Sequence, residues 1–79
     1  VFGLPEAKVG LLPGGGSISR LPRQIPFARA MEMMLLGDPI DAREALALGL
    51  VNRVVPRADL AAAARSLAER VAANGPLAV

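Results

Sequence analysis

Three glycines in a row, Gly14-Gly15-Gly16, constrain this chain more than any other feature; Pro13 precedes them and Ser17 follows. Glycine loses more conformational freedom on folding than any other residue, so such a run does not sit in the interior of a helix or strand. The stretch is a loop, and Ser17 is placed to cap a helix beyond it. The loop divides the 79 residues into a short apolar N-terminal part and a long part with helical periodicity.

Before the loop, Val1 to Pro5 reads as a strand end running into a turn, because proline closes it. Val9 to Leu12 is a second short apolar run. After the loop, Ser17 to Arg23 reads as a short helix broken around Pro22. Pro26 suits the first turn of a longer helix, with Phe27, Ala30, Met31, Met34 and Leu35 on one side and Gly37 as its stop. Asp41 to Glu44 reads as a capping box with Asp41 at the N-cap; it opens a helix from Ala42 to Leu48 that Gly49 ends. Leu50 to Val55 is β-branched and apolar, hence a short strand or extended segment stopped by Pro56. The last helix runs from about Ala58 to Ala73, with Leu60, Ala64, Leu67 and Val71 as its apolar stripe and Asn74-Gly75-Pro76 as its stop. The expected organisation is one partial domain over residues 1–79: a strand and glycine loop over 1–16, helices and a short strand over 17–56, and a C-terminal helical region over 57–79. Val1 reads as the end of a strand and Pro76 to Val79 as the start of a helix, so both ends read as cut from a longer protein.

Apolar residues make up 53% of the chain, yet the only aromatics are Phe2 and Phe27. Ala, Leu and Val build amphipathic helices but give few large anchors for a self-sufficient core. Apolar faces meant for other parts of a protein are expected. The sequence pI is near 10.5, which invites a nucleic-acid reading. The acids Glu32, Asp38, Asp41, Glu44, Asp59 and Glu69 are interleaved with the arginines, however, and leave no purely basic face. No nucleic-acid partner is expected. With no cysteine and no histidine, disulfides, thiolate nucleophiles, histidine metal ligands and Ser-His triads are excluded within the chain. No apolar run approaches the roughly 20 residues of a membrane span. No membrane partner is expected either, and the default location is cytoplasmic.

Few residues remain that could carry chemistry. Glu6 follows Pro5 at a strand-to-turn junction. A half-buried carboxyl there would hold its proton more readily, as a general acid at neutral pH requires; the ordinary reading is a solvated turn glutamate. The glycine loop could present N–H groups to an anion or a polarised oxygen, or it is a tight turn where backbone packs closely. It is neither a dinucleotide fingerprint nor a phosphate-cradling loop with its following lysine. Met31, Met33 and Met34 could line an acyl pocket or pack a core, with Met33 pointing away from the other two. Arg20 and Arg23 could hold a phosphate or carboxylate or be surface residues. Asp41 and Glu44 are accounted for by capping.

Taken together and in order, these motifs resemble the crotonase (enoyl-CoA hydratase/isomerase) family. The resemblance runs through Phe2-Gly3-Leu4-Pro5-Glu6, Val9-Gly10-Leu11-Leu12-Pro13-Gly14-Gly15-Gly16 and Arg20-Leu21-Pro22-Arg23. It continues through Ala30 to Met33, Leu36-Gly37, Ile40-Asp41-Ala42, Glu44-Ala45 and Gly49 to Pro56, and so covers nearly the whole chain. One departure is Gly16-Ser17-Ile18-Ser19 before Arg20-Leu21, where the family commonly has Gly-Gly-Thr-Gln.

The resemblance implies an α/β fold: part of a ββα spiral plus the start of a C-terminal helical region used in trimer assembly, mostly helical in this fragment. It implies an acyl-CoA thioester substrate and a stabilised enolate, with no cofactor beyond the coenzyme A of the substrate. Glu6 aligns with the second of two family glutamates, as proton donor to the α-carbon in hydration and base there in reverse. Gly14 aligns with a glycine whose N–H helps hold the water, and Pro13, Gly14 and Gly15 are the implied substrate-binding residues. The first glutamate and both oxyanion donors lie upstream in the family. The implied parent is a homotrimer or dimer of trimers with hydratase (lyase) or isomerase activity. The alternative is an inactive fragment acting only as a helical oligomerisation or binding module.

Overall fold

A computed structural model describes residues 1–79. A 3-10 turn, Pro5–Val9, precedes α1 (Ser17–Gln24), α2 (Phe27–Leu36) and α3 (Ala42–Leu48); a second 3-10 turn, Arg57–Asp59, leads into α4 (Leu60–Ala72). The only β pairing is one antiparallel bridge between Phe2 and Ile40, with N–H···O distances of 2.9 and 2.8 Å. Gly3 lies beside it against Pro39: a Cβ on Gly3 would come within 3.3 Å of the Pro39 Cα. The chain is mostly helical, as expected of this section.

Three local expectations need correction. First, α1 is not broken at Pro22. The helix is only eight residues long, so the missing Pro22 N–H removes one bond near its end. The stop comes at Ile25, which the following Pro26 holds extended at φ −130° and ψ 165°. Second, Gly16 and not Ser17 occupies the N-cap, with φ +90° and no side-chain cap bond. The glycines make the turn themselves, so Ser17 already belongs to the helix. Third, of the two readings of Leu50 to Val55, a short strand or an extended segment, the strand does not form. The segment's first two N–H groups donate to the Ala45 carbonyl at 2.8 and 3.3 Å, and the rest finds no neighbouring edge among these residues.

The glycine stops and the Asp41 cap are as expected. Asp41 Oδ1 accepts from the Glu44 N–H at 2.8 Å. The reciprocal half of the capping box is absent, because the Glu44 carboxylate pairs with Arg29 of α2 instead. Arg29 also holds Glu32, so one guanidinium joins α2 to α3.

The core is small. Leu21 from α1, Ile25 just after it, Ala30, Met33 and Met34 from α2, then Ile40 and Ala45 are its seven buried apolar residues. The buried face of α2 is rotated from the expected one: Met33 is 4% exposed, while Phe27 and Leu35 are 66% and 67% exposed. Both faces of α2 are apolar, so periodicity could not choose between them; α1 and the first 3-10 turn did. Helix α4 buries no residue and packs on no other helix. The radius of gyration is 15.4 Å, against about 11.6 Å for a compact domain of this length. The chain is therefore an open assembly with one packed end and an outlying helix. No helix is long and apolar enough to cross a membrane.

Candidate active-site segment

Glu6 sits on the first 3-10 turn. Pro5 starts that turn with its fixed φ and absent N–H, where no donor is needed. Gly10 ends it at φ +74°. The Glu6 carbonyl accepts from the Leu11 N–H at 2.9 Å, which folds the chain back after the turn. Lys8 Nζ lies 2.5 Å from Asp38 Oδ1 and anchors the turn to the end of α2.

The Glu6 side chain is half-buried. Its Oε2 is buried and has no hydrogen-bond partner, and Glu6 takes part in none of the three ion pairs. A buried polar atom without a partner costs about 1–3 kcal/mol. Lys8, the nearest cation in sequence, is committed to Asp38. The solvated-turn reading does not fit this atom.

The chain next reaches Pro13, which is buried, and the exposed glycines. The Ser17 N–H donates to the Gly14 carbonyl at 3.2 Å. The two residues between them have positive φ, +64° at Gly15 and +90° at Gly16, the backbone of a type I′ turn. A Cβ on Gly16 would lie 2.7 Å from Arg20 Nη2. Glycine is thus required at 15 and 16 by φ, and a Cβ at 16 would also push aside the flexible Arg20 guanidinium. Gly14 differs: its φ is not positive, and nothing lies within 4 Å of a Cβ built there. Nothing inside the chain requires glycine at 14. The N–H groups of Gly14, Gly15 and Gly16 donate no hydrogen bond within the chain.

The other candidates separate. Met33 and Met34 belong to the core and Met31 packs against it, so the methionines act as core packing here. Arg20 and Arg23 do not converge. Arg20 turns back and donates to the Gly15 carbonyl, while Arg23 makes no ion pair. Sequence reasoning missed the Arg20–Gly15 contact and the double role of Arg29. The i,i+3 spacing of Arg29 and Glu32 was a legible signal for part of the latter.

Within this segment, then, a carboxyl with an orphaned buried oxygen precedes, by eight residues, a loop whose N–H groups are free. Solved structures share the segment's whole frame. An enoyl-CoA hydratase from Mycobacterium tuberculosis H37Rv superposes with a TM-score of 0.95 and 52% identity, over 99% of this chain and 31% of that one. A carnitinyl-CoA hydratase from Mycobacterium avium does so with a TM-score of 0.92 and 47% identity, over 98% and 30%. A carnitinyl-CoA dehydratase of Proteus mirabilis (strain HI4320) is 45% identical over 78 residues, 99% of this chain and 30% of that protein. The architecture is a section of the crotonase fold. The profile of the enoyl-CoA hydratase/isomerase family matches residues 1–79, and the chain belongs to that family. It spans about a third of the length of the relatives it matches.

Proposed function

We propose that this segment supplies the α-carbon proton-transfer group, Glu6, of an enzyme that hydrates an enoyl-CoA thioester or shifts its double bond. In hydration, the oxygen of water bonds to the β-carbon while one of its O–H bonds breaks and the proton passes to the other family glutamate, outside this segment, and the π electrons move to the thioester as an enolate. The Glu6 carboxyl then protonates the α-carbon. In the reverse direction the Glu6 carboxylate removes that proton. The observation that carries the reading is the buried, unpartnered Glu6 Oε2. A carboxyl oxygen with no partner in the protein is free to meet a substrate.

Gly14 supports the reading from the other side. A glycine that no backbone angle or neighbour demands suits close approach of a ligand to its N–H. Here that ligand is the attacking water, with Pro13 and Gly15 shaping the approach. Coenzyme A enters as part of the substrate, and no separate cofactor takes part. The remaining glutamate and the oxyanion donors, worth about 3–4 kcal/mol each, belong to the rest of the protein. The isolated 79 residues are therefore inactive in this reading. The exposed apolar stripe of α4, with Leu60 at 61% and Val71 at 46% exposure, suits burial in a trimer or dimer of trimers.

The test is Glu6→Gln in the complete protein carrying this segment. Crotonyl-CoA hydration should fall by about 10²–10⁴-fold with the thermal midpoint nearly unchanged. Near-parental turnover in that variant would sink the assignment.

A further inference from the structure

We propose that Arg20 is a positioning residue that clamps the glycine loop so that the Gly14 N–H holds its place; the inference rests on the reading of Gly14 above. The Arg20 guanidinium donates to the Gly15 carbonyl and lies over Gly16, where only the absence of a Cβ leaves room for it. Its backbone N–H donates to the Gly16 carbonyl at 2.9 Å. Arg20 is in none of the three ion pairs, so its side-chain bond goes to the loop alone. The need for a clamp follows from composition: three glycines explore more backbone conformations than any other tripeptide. The Gly14 carbonyl is held by the Ser17 N–H and the Gly15 carbonyl by Arg20. With Pro13 buried on the other side, Gly14 is fixed at both ends, and the N–H groups alone stay free. Side-chain packing does not hold the loop, because nothing would touch a Cβ on Gly14 or Gly15.

The role predicts a selective defect. Holding the water depends on the loop, whereas removing an α-proton from a saturated thioester depends on Glu6 and needs no bound water. In the complete protein, Arg20→Gln should lower kcat for crotonyl-CoA hydration by about 10- to 100-fold, the range of a misplaced contact. KM should stay within about twofold, and so should deuterium exchange at the α-carbon of butyryl-CoA. Arg20→Lys, whose ammonium can still donate to the Gly15 carbonyl, should lie between the two. Unchanged hydration in Arg20→Gln would overturn the proposal. So would a parallel loss of hydration and exchange with a lowered thermal midpoint, because that is the mark of a merely structural role. Glu6→Gln serves as the internal control. If it retained α-exchange, the reading of Glu6 would fail, while the effect of Arg20 on hydration would still be decided by its own rates.

Discussion

Lys8 Nζ and Asp38 Oδ1 lie 2.5 Å apart, across thirty residues of sequence. The pair joins the turn that carries Glu6 to the loop after α2. Both side chains are more than half exposed, so the attraction is weakened by water and salt. Lys8→Ala in the complete protein should lower stability by less than about 1 kcal/mol. A chemical denaturation midpoint measured at low and high salt checks this, and the deficit should shrink as salt rises.

Glycines 14 and 16 should behave oppositely. Gly14→Ala meets no neighbour and needs no positive φ; it should leave stability unchanged or raise it by about 0.4–1 kcal/mol through the unfolded chain. Its hydratase activity should nonetheless fall, because the methyl group stands where a ligand approaches the N–H. Gly16→Ala forces a side chain to φ +90° and into Arg20, and should cost about 1–3 kcal/mol. Paired unfolding and rate measurements separate the two.

The Asp41 cap gives a third prediction. Its carboxylate accepts the Glu44 N–H, so Asp41→Ala should destabilise by about 1 kcal/mol and Asp41→Asn by much less. Because the Glu44 side chain is engaged with Arg29, Glu44→Gln should act on the contact between α2 and α3 and leave the cap intact. A double-mutant cycle with Arg29→Met reads that coupling, expected at about 0.5–1 kcal/mol.

The rotation of α2 is tested by truncating each face. Met34→Ala should cost about 2–3 kcal/mol, as for other long apolar side chains removed from a core. Met33→Ala should resemble it. Phe27→Ala should cost far less unless other parts of the protein cover the face it presents. Unfolding of these three variants in the complete protein would rank the positions directly.

Much of the local structure was legible in the chain itself. Gly37 and Gly49 end helices where a positive φ is needed, and Asp41 caps because its carboxylate reaches two or three residues ahead. These are short-range effects of backbone geometry. The family order of motifs was legible too, and with it the expectation placed on Glu6 and Gly14. Legibility failed wherever a choice depended on a distant partner. Met33 or Leu35 could have faced the core, and only packing against α1 and the first 3-10 turn decided it. Residues 50–55 have the composition of a strand, but a strand exists only through hydrogen bonds to a neighbour.

The glycine run shows the division most clearly. The sequence by itself determined that Gly14-Gly15-Gly16 forms a loop, because no regular element tolerates the entropy of three glycines. Tertiary structure decided what the loop does. It placed the Arg20 guanidinium on the Gly15 carbonyl, left the three N–H groups free and gave positions 15 and 16 their own reasons to be glycine. It also left one oxygen of Glu6 buried with nothing to bond. Those outcomes depend on which groups meet in space, and pairwise contact across a fold is set by packing and not by spacing along the chain.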